Sequence, residues 1–199
     1  MTLLETSRLT LRPCREEDRD LFYELSSDPA VLAFFPFRRS RADADTVFTM
    51  IRSVVPEPGF DLLVIALKQS GEAIGLCGLS KPQLEPYLPK DAVEIGWRMS
   101  ARHWRNGYAT EAGLALLRHG FETLKLDEIL SIAVHDNRRA LAVMRRIGMH
   151  PDPAIDFDHP QIPDTHPQLR RHVVYRLRAA EWRSQGKRKT EVSTREQQR

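Results

Sequence analysis

The stretch from Val93 to Phe121, VEIGWRMSARHWRNGYATEAGLALLRHGF, constrains this chain more than any other. Val93, Ile95, Trp97 and Met99 alternate with Glu94, Gly96 and Arg98, the period-2 pattern of a strand whose two faces meet different surroundings. Leu114, Leu117, Phe121 and Leu124 then recur every three or four residues, which predicts a helix with one buried face. The segment between them, WRNGYA, contains a glycine and an alanine that let neighbouring backbone N–H groups converge. Those of Arg105, Asn106, Gly107, Tyr108, Ala109 and Thr110 would gather at the positive end of the helix dipole, an arrangement that binds phosphate. A plain turn leading into a helix is the alternative. A Rossmann loop needs more glycines and an acidic residue on the following strand, and a Walker loop needs a Gly-Lys-Ser/Thr ending; neither pattern is present.

The rest of the chain supplies strands and helices around this unit. Arg8 to Arg12 alternates as RLTLR and predicts a first strand closed by Pro13. An acidic first turn at Glu16, Glu17 and Asp18 starts a helix with Leu21, Phe22 and Leu25 on its apolar side, stopped at Asp28-Pro29. Val31 to Phe37 is dense in aromatics and adjoins Arg38, Arg39 and Arg41; core packing for the rings and solvated arginines is the simple reading from the residues alone. Ala44, Val47, Phe48, Ile51 and Val55 mark a second helix ended by Pro56. Phe60 to Leu67 and Glu72 to Leu79 pair as a hairpin, and the proline-rich Lys81 to Lys90 cannot lie inside a sheet. Ile129 to Val134 is a further strand, Asp136-Asn137 starts a helix buried at Ala140, Val143, Met144 and Ile147, and Arg171 to Leu177 is a last strand. His150 to Leu169 is irregular and rich in Pro, Asp and His.

With 199 residues and 41% hydrophobic content, the chain has room for one domain, expected over residues 1–182. Residues 183–199 form a basic tail without an apolar face, expected to be disordered. The net charge is only +3, so the body is close to neutral and no dedicated nucleic-acid surface is expected. Cys14 and Cys77 are far apart and form no Cys-x-x-Cys pair, which points to free thiols in a reducing cytoplasm. The start of the chain is too polar for a signal peptide and no apolar run is long enough to span a membrane.

A strand followed by R/Q-x-x-G-x-G/A and a helix resembles the signature of the GNAT N-acetyltransferase superfamily, and the likeness runs from about Thr6 to Arg178. The opening LETSRLTLRP and the later SSDPAV resemble the branch containing the ribosomal-protein-alanine acetyltransferases. The resemblance implies an α/β fold, a mixed and mostly antiparallel twisted sheet of six to seven strands flanked by helices. It implies acetyl-CoA as co-substrate, no metal, and a primary amine as acceptor, either a protein N-terminus or a small molecule. The state would be a monomer or a homodimer.

Site residues follow from the same resemblance. Arg105 to Thr110 would hold the pyrophosphate through backbone N–H groups, while Arg98, Met99 and Ser100 at the strand end would pair with the pantetheine arm. Glu94 lies ten residues before Trp104, the spacing at which the histone-acetylating branch places its base, and a carboxylate there could deprotonate the amine. A structural carboxylate paired with Arg98 or an edge group is the rival reading. Asn137 would touch pantetheine, or serve only as a helix cap. The aromatic stretch from Val31 to Phe37 would border the acceptor cleft, the alternative to core packing. Trp104 stands where many members have Gln or Arg, and Ala140 and Met144 stand where relatives carry a Ser or Tyr proposed to protonate the leaving thiolate. Those departures keep open a non-catalytic acyl-CoA-binding module. The His and Asp residues of the 150–169 segment lack metal-ligand spacing. They suggest instead a loop over the acceptor cleft whose carboxylates attract a cationic amine, with His159 or His166 shuttling protons.

Overall fold

The structure is a computed structural model describing residues 3–53 and 57–185. Six strands of five residues or more carry the sheet: β2 (Leu9–Pro13), β3 (Leu62–Leu67), β4 (Ala73–Ser80), β5 (Glu94–Met99), β6 (Glu128–Val134) and β9 (Arg171–Arg178). Three two-residue strands, β1 (Leu4–Glu5), β7 (His150–Pro151) and β8 (Phe157–Asp158), extend its edges, giving the order β1-β2-β3-β4-β5-β6-β9-β7 with β8 also on β9. The mixed, mostly antiparallel sheet is the expected one, although its strand count exceeds the expected six to seven. Two-residue strands are too short to show any alternation. Among the described residues β5 and β6 are the one parallel pair, and their register holds a single partner pair, Glu94 with Leu130. Beyond Glu94 the two strands part.

Each face of the sheet is covered differently. Ile95, Trp97 and Met99 face the main core, together with Leu116, Leu117 and Phe121 from α3 (Tyr108–Arg118) and its continuation, and Met144 from α4 (Arg138–Arg146). On the opposite face Val64 and Leu76 pack under α1 (Arg19–Ser27) and α2 (Arg41–Ser53), where Phe22 and Phe48 meet edge to face. The half of that face formed by β6 and β9 is covered by Leu84, Leu88 and Phe157. The proline-rich segment is therefore a lid on the sheet and more than a spacer.

Several local expectations shift. The buried stripe of α3 is Ala112, Gly113, Leu116 and Leu117, with Leu114 only half-buried, and the helix widens into a π turn over His119–Thr123 that brings Phe121 to the core. Helical backbone continues over 179–185, and Gln185 Nε2 donates to Gly148 O at 3.1 Å. Residues 183–185 thus belong to the domain, while the rest of the expected tail lies outside the described residues, as do Val55 and Pro56. Cys14 and Cys77 are free thiols.

Candidate active site

The parting of β5 and β6 opens a cleft of ≈ 1780 Å³ that passes through the sheet from the α3 and α4 side to the α1 and α2 side. That volume exceeds an ordinary small-molecule pocket and suits two reactants meeting end to end. Met99, Arg105, Asn106, Gly107, Tyr108, Ala109, Thr110 and Asn137 line it on one side, and Glu94, Gly96 and Arg98 form its floor on the other.

The loop before α3 has the expected phosphate-binding geometry. Arg105 (φ 65°) and Gly107 (φ 80°) both adopt left-handed backbone, which turns successive N–H groups toward one point. Among the described residues no protein acceptor is recorded for the N–H groups of residues 105–110, whereas the next, Glu111, donates to Gly107 O at 3.0 Å. Among the described residues no side chain caps the helix. A helix start with its donors left free and Gly at the N-cap fits an anion, and Arg138, Arg139 and Arg146 of α4 line the same end of the cleft. The residues present therefore fit the polyanionic end of an acyl-CoA.

The loop is held from behind. Arg8 Nε donates to Glu111 Oε2 at 2.7 Å and its Nη1 to Asn106 O at 3.1 Å, while the guanidinium lies 4.7 Å from the Tyr108 ring centre. Glu111 Oε1 also accepts from the Thr6 hydroxyl and the Arg8 N–H, so this residue anchors the N-terminal segment as well as meeting the helix dipole. Trp104, the departure from the usual pattern, donates through Nε1 to Met99 O at 3.0 Å and is covered by the Arg139 guanidinium at 4.0 Å. It fastens the loop to the end of β5.

Backbone direction separates the residues expected to meet pantetheine. Leu130 N donates to Val93 O, the Ser131 hydroxyl donates to Ile95 O at 3.0 Å, and Ser100 N donates to Ile74 O of β4. Alternate residues of a strand present their backbone groups to the same edge. Trp97 and Met99 therefore face the open gap, and Arg98 and Ser100 face β4. Ser100 is fully buried with its hydroxyl bonded to Glu24, and it stands apart from the cleft. Trp97, whose apolar ring suggests only core, is the residue that the sequence does not disclose. Asn137 caps α4, accepting from Ala140 N at 3.2 Å, and its Nδ2 has no recorded partner among the described residues, so cap and cleft contact coexist.

On the floor of the cleft Glu94 sits where β5 and β6 begin to part. Burial pushes its carboxyl up to about 7, and interaction with the backbone N–H of Ile132 on β6 offsets this in part. The alternative pairing with Arg98 does not occur: among the described residues Glu94 has no ion-pair partner. Arg98, four residues on and on the same face, lies 4.3 Å from the Phe35 ring centre. Burial, reinforced by the like charge of Arg39, pulls its guanidinium down to about 10. Phe34, Phe35 and Phe37 are half-buried and line the cleft as wall rather than core.

The His- and Asp-rich segment closes the far side of this face, but not by attracting amines. Asp152 pairs with Arg176, Asp158 with Arg171 and Asp164 with Arg170, and Asp156 accepts from Val174 N. Those carboxylates hold their own segment to β9. His159 and His172 do reach the cleft, with ring centres 4.8 Å apart, and burial holds both below the usual imidazole range, so both are neutral near pH 7. His166 instead bonds Thr165. Among the described residues no group of three or more His, Cys, Asp or Glu could hold a metal ion, and no helix is long and apolar enough to cross a membrane.

Comparison with known proteins agrees with this geometry. Residues 8–150 match the family model described as the acetyltransferase (GNAT) domain. The chain is 32% identical over 152 residues to the YkkB protein of Bacillus subtilis, covering 75% of this chain and 86% of that one. It is 32% identical over 153 residues to the FsC-acetyl coenzyme A-N(2)-transacetylase of Aspergillus fumigatus, covering 73% of this chain and 64% of that one. Among solved structures, the acetyltransferase from Agrobacterium tumefaciens superposes with a TM-score of 0.67 at 30% identity, over 89% of this chain and 94% of its own. A family match over most of the chain, on a sheet that opens where the signature loop stands, makes this protein a member of the GNAT family of acetyltransferases.

Proposed function

We propose that the protein transfers an acetyl group from acetyl-CoA to a primary amine by direct attack. The observation that carries this reading is the pair of chemically distinct ends of one cleft: free N–H donors and α4 arginines at one end, a desolvated carboxylate at the other. The loop and helix start would hold the pyrophosphate, and the open edge of β5, at Trp97 and the Met99 N–H, would pair with the pantetheine arm. Acetyl-CoA supplies an already activated acyl group, so the protein's work is to position, to exclude water and to take a proton. Glu94, on the floor of the acceptor side, would accept the ammonium proton directly or through water. His159 and His172, neutral and lining the same space, would pass that proton to solvent. With Ala140 and Met144 lacking hydroxyls, the thiolate would take its proton from water.

The likeness of the opening segment to the ribosomal-protein-alanine branch favours a protein N-terminus, and a small molecule is the other acceptor class; both are primary amines. Thiol release from acetyl-CoA, measured over a panel of small amines and N-terminal peptides, tests the reading. Amine-dependent thiol release supports it. Saturable acetyl-CoA binding with no amine turned over would instead mark a binding module.

A further inference from the structure

We infer that the acceptor end of the cleft is an anion site, and that the amine acceptor is a small molecule bearing a carboxylate several bonds from its nitrogen. The inference rests on the acetyl-transfer reading above and adds the chemistry of the substrate to it. Arg98 and Arg39 would hold the carboxylate while Glu94 faces the amine.

The treatment of other shielded guanidinium groups shows what is unusual here. Arg12 is bonded through both Nη atoms to Asp18 at 2.7 and 2.8 Å, and Arg176 pairs with Asp152 and Glu128. Arg98 has no carboxylate partner recorded among the described residues. Its one hydrogen bond reaches Leu25 O at the long distance of 3.5 Å, and a phenyl ring covers one side of it. A second cation lining the cleft, Arg39, adds like charge to it; Arg39 has no recorded carboxylate partner among the described residues and rests 4.3 Å from the Phe37 ring centre. Arg39 is set in place by its backbone, whose N–H donates to Ser26 O at 2.9 Å. Both arginines line the cleft, and a half-buried cation with no counter-charge, as Arg98 is, costs stability in the free protein. A ligand carboxylate relieves that cost and forms charge-assisted bonds with both.

Position then sets the shape of the ligand. Glu94 and Arg98 lie on one face of β5 with Gly96 between them, and four residues of strand separate their Cα atoms by about 13 Å. A Cβ at Gly96 would meet no atom within 4 Å, so the floor between the two charges is open. An apolar spacer lying over Gly96, walled by Phe34 and Phe35, would join an amine at Glu94 to a carboxylate at Arg98. A diamine would set its second cation against two arginines.

Initial rates with aminohexanoate, its primary amide and hexanediamine, at saturating acetyl-CoA, test this directly. The expected result is a kcat/KM for aminohexanoate at least about 10-fold above the other two, as a charge-assisted bond provides. Arg98→Gln and Arg39→Gln should each bring carboxylate and amide to within about threefold of one another, and Arg98→Glu should favour the diamine. Equal rates for carboxylate and amide in the wild type, or a preference that survives both glutamine variants, would overturn the inference. Calorimetric titration with N-acetyl-aminohexanoate reads the anion site without turnover. If no amine reacts, the acetyl-transfer reading fails; binding to wild type and not to Arg98→Gln would still uphold the anion site, and no binding to wild type would overturn it too.

Discussion

Glu94 illustrates how one residue's surroundings set its chemistry. A carboxyl whose pKa is raised to about 7 is protonated, and useless as a base, below that value. An alkyl amine is already neutral above its own pKa of about 10 and no longer needs a base. The advantage of the wild type over Glu94→Gln should therefore be greatest between about pH 7 and pH 10 and shrink on either side, read from kcat/KM profiles of both proteins. An equal loss at every pH would remove Glu94 as base. The same shift bears on stability. The unfolded chain ionises this group near 4.5, so its ionisation destabilises the native state as pH rises from about 4.5 to 7. Glu94→Gln should be the more stable protein at pH 8, by up to about 3 kcal/mol in denaturant titration. The place of Glu94 on the central strand was legible in the sequence from its alternation with Val93 and Ile95; its proposed role as base came from the family resemblance. Arg98 was legible only as a position: which edge its backbone takes, and which face its side chain takes, follow from pairing with β4 and not from residue type.

Among the elements, β5 decides most. It is bonded to β4 along its length and to β6 only at its start, so one strand supplies a floor on one face and an open edge beside it. Gly96 is the test of that arrangement. Gly96→Val suits a strand and meets no neighbour at Cβ, yet its methyl groups would stand on the floor of the acceptor cleft. The expected outcome is an acceptor KM raised about tenfold or more, on the order of the discrimination that one or two methyl groups provide, with acetyl-CoA affinity unchanged by calorimetry. A raised acetyl-CoA Kd instead would mean that the floor serves the cofactor side. The strand itself could be read from alternation, whereas the buried stripe of α3 could not be placed correctly. Gly113 and Gly120 lie on it because a Cβ there would approach Ile147 to 3.3 Å and Ile129 to 2.6 Å. Residues chosen for close approach carry no hydrophobic signal, so a stripe built on them is invisible to periodicity.

In the whole molecule, the two sides of the sheet are separately anchored, and each anchor positions one end of the cleft. On the acceptor side Arg12 of β2 and Asp18, both almost wholly shielded, form a two-bond pair, and Asp18 also accepts from Arg15 N at 2.7 Å at the start of α1. Asp18→Ala would leave the guanidinium buried without its partner and should cost about 3–5 kcal/mol of unfolding free energy in denaturant titration. A loss under about 1 kcal/mol would show that the pair is not what fixes α1. On the cofactor side the clamp from Arg8 to Glu111 ties β2 to the phosphate loop. Neither pair could be foreseen, since one joins residues distant in sequence and the other conceals an acid that reads as an ordinary helix start. The fold class was legible because one strand, loop and helix fix how the sheet must open.

The central claim is that the loop before α3 holds the phosphate end of acetyl-CoA, and the most direct test is calorimetric titration of acetyl-CoA into the wild type and Gly107→Glu. Gly107 has a φ of 80°, and a glutamate there would bring both backbone strain and a negative charge to the cradle. Saturable binding to the wild type, weakened at least about 100-fold in a variant whose circular dichroism is unchanged, is the predicted result. Equal affinity of the two proteins, or no binding to folded wild type, would contradict the account.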